Sequence, residues 1–244
     1  MIYYIDKLIG IVLSMSNYIR FSPNPITGYL QDNWQLILDE FINQRLEMTN
    51  MNLYEVQSFS NKLQAQTVHL KKPLYEGRIV VVALYIHRNI LAYAEKKQLE
   101  WKDDEDERWW NNNITGMPTI TKWIKEHQSH LNGVVFYAAQ PGSVINHHYG
   151  VDDSKNNFRI HLCLTGDPEC KFNIENEVHA WTPGDLFGFD DTMVYHGMKH
   201  KGETPRIILS IDIDKEPLRD FAINFVERPF VTSKLKTPPT IEEW

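Results

Sequence analysis

The spacing of apolar residues changes along the chain. Between Asn33 and Glu47, Trp34, Ile37, Leu38, Phe41 and Ile42 recur at helical spacing, with Asp39, Glu40, Asn43 and Gln44 off the stripe. This predicts an amphipathic helix laid on a core. The run Ile79-Val80-Val81-Val82-Ala83-Leu84-Tyr85 is continuous, β-branched and of strand length, so a buried strand is predicted there. Residues 89–101 have helical composition and lead into the acidic run Asp103 to Glu107, which predicts a solvated loop. Trp109 and Trp110 follow and are expected to be partly buried against the body. Met117-Pro118-Thr119 opens a short helix through Trp123 and Ile124, with Thr119 at its N-cap or in its first turn.

From Gly133 onward the pattern is one of closely spaced strands. Val134 to Ala139, Phe158 to Leu164, Lys171 to Ile174, Glu177 to Trp181, Asp185 to Phe189 and Arg206 to Ile213 are each bounded by turn residues. Among these turns are Pro141-Gly142, Gly166-Asp167-Pro168, Pro183-Gly184 and Lys201-Gly202. Short strands at this pitch predict a mainly β sandwich or barrel, and a double-stranded β-helix (a cupin-like jelly roll) closes such sheets without long exposed edges. After Asp214, Pro217, Pro229, Pro238 and Pro239 predict an irregular extension with at most one short helix. The expected organisation is one structural domain. It comprises an N-terminal helical and strand flank over 1–132, a core over 133–214 and a C-terminal extension over 215–244.

Composition narrows the function classes. With 42% hydrophobic and 23% charged residues over 244 positions, the chain has the make-up of a folded protein rather than a disordered or fibrous one. Asp and Glu number 32 against 25 Lys and Arg, a net charge of −7, which leaves no cationic field for a nucleic acid partner. Two cysteines, Cys163 and Cys170, make no disulfide framework, and a cytoplasmic location is expected. Leu8 to Met15 is too short for a membrane helix and is expected to be a packed segment, with no membrane partner.

Three clusters in the β region carry candidate chemistry. They are Asn146-His147-His148-Tyr149-Gly150, Phe189-Asp190-Asp191 leading to His196, and Arg206 on the last core strand. Imidazole nitrogens on a jelly roll suit non-haem Fe(II), because a facial set leaves positions open for a bidentate co-substrate and then for O2. A forked guanidinium deeper in the barrel suits the far carboxylate of that co-substrate.

The order and spacing of these clusters resemble the aspartyl/asparaginyl β-hydroxylase family of Fe(II)- and 2-oxoglutarate-dependent oxygenases. Phe136 through Gly150, with Pro141-Gly142 and His148-Tyr149-Gly150, resembles that family's first metal-ligand region. Arg159-Ile160-His161-Leu162 resembles its Arg-x-His-Leu strand, and Gly184 through Phe189-Asp190-Asp191 its approach to the second histidine. The resemblance covers roughly residues 25 to 214 and includes the Leu30 to Trp34 and Pro118-Thr119 helices. It implies Fe(II) held by His148 and His196, and 2-oxoglutarate anchored by Arg206 with Arg159 and His161 beside it. It also implies hydroxylation at the β-carbon of an Asp or Asn residue in a peptide, or of a related amino acid. Halogenation or cyclisation of a small molecule at the same iron, or a non-catalytic cupin-like binding protein, are the alternative expectations.

Gly150 stands where the carboxylate of a 2-His-1-carboxylate triad would be. Water matches the resemblance at that position, and chloride or Asp152 and Asp153 are the other candidates. The chain departs from the family in a longer interval between His148 and Arg159, and in a longer step from Asp191 to His196. It also departs in Tyr137, where the family has a small hydroxyl residue that touches 2-oxoglutarate. The segment 89–113 reads as an insertion. His147 should face away from His148, His200 is the alternative to His196, and His179 is expected at the surface. Asp190 and Asp191 are expected to satisfy backbone donors in their turn.

Overall fold

Two antiparallel sheets built from the strand-rich region face each other in the computed structural model, which describes residues 18–48, 75–87, 108–110, 116–150 and 156–227. The larger sheet has six strands in the order β3 (Arg108–Trp110), β2 (Ile79–His87), β4 (Leu131–Ala139), β11 (Arg206–Asp214), β6 (Asn157–Thr165) and β9 (Leu186–Phe189). The smaller has five, in the order β1 (Tyr75–Glu76), β5 (Val144–His148), β10 (His196–His200), β7 (Cys170–Ile174) and β8 (Glu177–His179). This is a mainly β double-stranded β-helix with a few N-terminal helices.

Period-two alternation gives the larger sheet two different faces. Val134, Phe136, Ile160, Leu162, Leu209 and Ile211 point outward into a core shared with the helices. On the other face, Ala139, Phe187 and Phe189 meet Phe172, Ile174 and Met198 of the smaller sheet. The barrel interior is therefore a separate apolar cluster, and it is the one that borders the polar residues described below.

The helices cover the outer face. In α1 (Pro25–Asp32), the Asn24 side chain accepts hydrogen bonds from the backbone N–H groups of Ile26 and Thr27, and Pro25 occupies the first turn, where it costs no bond. In α2 (Trp34–Met48), Ile37, Leu38 and Phe41 are buried, and Phe41 stacks on Phe136 at 4.4 Å between ring centroids. Ile42, predicted on the buried stripe, is 43% exposed, because the contact with the sheet is narrower than the apolar arc. In α3 (Pro118–His127), Thr119 sits in the first turn rather than at the cap. Its backbone N–H and hydroxyl both donate to the Glu40 carboxylate of α2, at 3.0 and 2.6 Å.

β5, β10 and β1 lie outside the predicted strands, and Trp181 lies beyond the end of β8, predicted to reach it. Arg108–Trp110 leave the acidic run to pair with β2, with Tyr85 opposite Trp110. The predicted helix at 89–101, the packed segment at Leu8 to Met15, Asp152, Asp153 and the end of the C-terminal extension lie outside the described residues. Among the described residues no helix is long and apolar enough to cross a membrane.

A short 3-10 helix, Glu216–Phe221, follows β11, and Lys215 between them ties this segment to Asp190. The Lys215 ammonium lies 2.5 Å from Asp190 Oδ2, with the rings of Phe158 and Phe225 at 5.8 and 5.6 Å. Removing one partner of such a buried pair strands the other charge. Lys215→Met should therefore destabilise the fold by about 3–5 kcal/mol. Adding Asp190→Asn should recover much of the loss, as read by urea denaturation of both variants.

Candidate active site

His148 reaches the interior through an irregularity in its own strand. His196 pairs with His148 but Met198 pairs with Ile145, so β5 carries one more residue than β10 across this stretch, a β-bulge. The bulge lets His148 and Ile145 both face inward although they are three positions apart. His147 is turned the other way, with Nε2 2.8 Å from Asn173 Oδ1. Gly197 leaves room for this: a Cβ there would lie 2.9 Å from the Ile145 carbonyl oxygen and 3.0 Å from His147 Cγ.

The two inward imidazoles are held alike. His148 Nδ1 lies 2.8 Å from the Asn146 carbonyl oxygen and His196 Nδ1 lies 3.0 Å from that of Val194, each two residues back along the chain. An Nδ1–H donated to a carbonyl places the lone pair on Nε2, the arrangement of a metal-ligating histidine. The ring centroids are 4.3 Å apart. Burial, reinforced by His196, lowers the His148 pKa to about 3, so its lone pair stays available at neutral pH.

Asp191 completes the cluster. Its Oδ1 lies 3.2 Å from His196 Nε2 and accepts a hydrogen bond from Arg159 Nη1 at 2.8 Å, while Oδ2 is buried without a partner. Asp212 fixes Arg159 in turn, accepting from Nε at 2.7 Å and Nη2 at 3.0 Å. Burial acts to raise the Asp191 pKa, but Arg159 and the two histidines outweigh it and hold the carboxyl well below the usual carboxylate range. A carboxylate oxygen 3.2 Å from an imidazole nitrogen calls for a cation between or beside them, a proton or a metal ion. The Gly150 backbone N–H donates to the Asp191 carbonyl at 2.8 Å, and a Cβ on Gly150 would overlap the Asp191 carboxylate. The space beside Gly150 is thus filled by a carboxylate from another part of the chain.

The expectation that Asp190 and Asp191 side chains serve the backbone of their turn is corrected. The turn is closed by the Asp190 backbone carbonyl, which accepts from Met193 and Val194. The Asp190 carboxylate instead takes the Thr192 hydroxyl and Lys215.

Deeper in the barrel, His161 is 6% exposed and ringed by Phe172, Phe187 and Phe189 at 5.4, 5.4 and 5.1 Å. Its Nδ1 has no partner. Burial, with Arg206 and Arg159 nearby, pushes its pKa well below the ordinary histidine value. Arg206 is 4% exposed, lies 5.6 Å from the Phe172 ring and has an unpartnered Nη2. Among the described residues it has no ion pair. Burial pushes the nearby Cys163 and Cys170 thiols up to about 11, so neither supplies a counter-charge. Trp181, stacked on Phe187 at 3.8 Å, presents a further buried N–H without an acceptor.

The structure therefore gathers His148, His196 and Arg159 around Asp191, with His161 and Arg206 facing the same interior. Tyr137 lies on the inward row of β4, opposite Ile208. His200 lies elsewhere, with Nε2 2.8 Å from the Thr204 carbonyl oxygen, and His179 is half-buried, paired with Glu177 at 3.2 Å. Among the described residues no set of three or more His, Cys, Asp or Glu side chains converges closely enough to hold a metal by itself. Two Nε2 atoms beside an unpartnered carboxylate oxygen nevertheless fit a cation that would draw them together.

The low His161 pKa has a consequence for acid stability. Below about pH 6.5 the unfolded chain takes up a proton at this residue while the folded chain does not, so its contribution to stability is lost as pH falls. The loss at pH 5.5 is about 1.4 kcal/mol. Ligand-free His161→Phe should lose that much less stability than the parent between pH 7.5 and 5.5, by urea midpoints.

Two imidazoles and a carboxylate at one end of the jelly roll, with a guanidinium inside that has no ion pair among the described residues, make a candidate active site in a cupin-type fold. The family model for aspartyl/asparaginyl β-hydroxylase matches residues 31–216. The chain belongs to that family, one of cupin-fold hydroxylases. Solved structures similar to part of the chain include a predicted oxalate decarboxylase from Thermotoga maritima, with 20% identity over 37% of this chain and 73% of that one and a TM-score of 0.31. Another is the cupin-2 domain of an XRE family transcriptional regulator from Enterobacter cloacae, with 14% identity over 33% and 79% and a TM-score of 0.29. A third is a double-stranded β-helix protein from Klebsiella pneumoniae, with 23% identity over 34% and 66% and a TM-score of 0.28. A search of curated protein sequences gives no significant match.

Proposed function

We propose that this hydroxylase is Fe(II)- and 2-oxoglutarate-dependent and acts on the β-carbon of an Asp or Asn residue in a peptide, or on a related amino acid. The observation that carries the reading is Arg206, a buried guanidinium with an unpartnered Nη2 and no ion pair among the described residues. A buried charge of this kind is costly unless an anion arrives to neutralise it. The far carboxylate of a dicarboxylic 2-oxo acid supplies that anion, bound bidentately.

In this reading His148 and His196 hold Fe(II) through Nε2, and Arg159 keeps Asp191 ionised and aimed at the same point. Arg206 orients the co-substrate from below. Phe172, Phe187 and Phe189 keep water from the far end. Bound Fe(II), with 2-oxoglutarate and O2, supplies the oxidising power for the C–H bond, yielding succinate and CO2. The Asp191 carboxylate beside Gly150 favours hydroxylation over halogenation, because it repels chloride from the position a halide would take.

Calorimetric titration of the Fe(II)-loaded protein with 2-oxoglutarate, in the absence of air, tests the reading. Saturable binding that requires the metal is expected. A protein that binds neither ligand would leave the non-catalytic binding-protein reading in its place.

A further inference from the structure

Alternate residues of β11 face the barrel interior, namely Arg206, Ile208, Ser210 and Asp212. Across the ladder to β6, Asp212 pairs with Arg159 and Ser210 pairs with His161. Directly opposed residues on antiparallel strands share a face, with Cβ atoms about 4.5–5.5 Å apart, so Ser210 points into the same space as His161. Ser210 is 4% exposed, so its hydroxyl faces the interior rather than bulk solvent. His161 Nδ1 is buried without a hydrogen-bond partner. The two do not satisfy each other, because the imidazole stands among Phe172, Phe187 and Phe189. A hydroxyl beside a buried, unpaired imidazole nitrogen on the interior face makes a place for an anionic acceptor.

Position along the strand says which acceptor. Ser210 is one inward step, roughly 7 Å, from Asp212, which anchors Arg159 and through it Asp191 and the histidine pair. Arg206 lies two inward steps away in the opposite direction. Resting on the 2-oxoglutarate reading above, we infer that Ser210 donates a hydrogen bond to the metal-proximal carboxylate of the 2-oxo acid, beside His161. β11 then grips the co-substrate at both ends, Arg206 at the far carboxylate and Ser210 at the near one. This gives the chain a small hydroxyl for the co-substrate on a different strand from the one that carries Tyr137.

The test compares Ser210→Thr with Ser210→Val, which differ by a hydroxyl at nearly constant shape. Mn(II) replaces Fe(II) so that binding is read without turnover, by calorimetric titration with 2-oxoglutarate. Ser210→Thr should bind as the parent does, and Ser210→Val roughly 10- to 100-fold more weakly, with Mn(II) affinity unchanged in both. Should a β-branched residue not fold at this position, Ser210→Ala against the parent makes the same comparison. Equal affinity with and without the hydroxyl would overturn the role of Ser210 while leaving the oxygenase reading intact. A parent protein that binds Mn(II) but no 2-oxoglutarate would overturn both.

Discussion

Arg206→Met should weaken 2-oxoglutarate binding by roughly a hundredfold or more and, in the same variant, raise the stability of the ligand-free protein. The two effects have one cause. Arg206 is 4% exposed, Cys163 and Cys170 are neutral thiols, and the guanidinium has no ion pair among the described residues. The ligand-free fold therefore carries an uncompensated buried charge, and methionine, of similar length, relieves it while filling the space over Phe172. With the co-substrate in place the balance reverses, because removing one partner of a buried pair costs about 3–5 kcal/mol. The gain in ligand-free stability should be about 1–4 kcal/mol by urea denaturation in buffers without dicarboxylates. A loss of stability would mean that Arg206 has a structural partner.

Gly150→Ala should have an effect of similar size at the other end of the site. The new Cβ would overlap the Asp191 carboxylate and lie 3.0 Å from the Asp191 backbone oxygen, to which Gly150 N–H donates. Asp191 would be driven from Arg159 and His196, leaving Arg159 with only Asp212. Metal affinity should fall at least roughly a hundredfold and stability by about 3–5 kcal/mol. Gly150→Asp should fail for the same reason, despite restoring the sequence of a 2-His-1-carboxylate triad. Combined with Asp191→Gly it moves the carboxylate from the turn after β9 to the segment after β5, and metal binding should return. Titration of Mn(II) into the three variants, followed by its electron paramagnetic resonance signal, reads these outcomes.

Much of this arrangement was legible in the sequence where a single physical signal dominated. The β-branched run of β2 and the strands β4, β6 and β11 announce themselves, since at least one face of each is apolar throughout. β5 and β10 were not legible. Asn146-His147-His148 and His196-Gly197-Met198-Lys199-His200 lack apolar alternation, and the bulge that turns His148 inward arises only from pairing across the sheet. Asp191 was hidden for a related reason. An Asp-Asp pair before a turn reads as turn chemistry, and only the fold brings that carboxylate onto Gly150 and His196. Ser210 did leave a signal. In Arg206-Ile207-Ile208-Leu209-Ser210-Ile211-Asp212, every polar residue falls on one parity of an otherwise apolar strand, which marks a face turned toward something polar.

The most direct test of the account is succinate formation, measured with Fe(II) and 2-oxoglutarate under anaerobic conditions and then in air. A panel of Asp- and Asn-containing peptides serves as substrates, and His148→Ala and Arg206→Ala serve as controls. The expected result is succinate that needs both iron and oxygen, rises with the preferred peptide and disappears in both variants. Succinate that persists in either variant, or a parent protein that forms none with any peptide and binds neither iron nor 2-oxoglutarate, would contradict it.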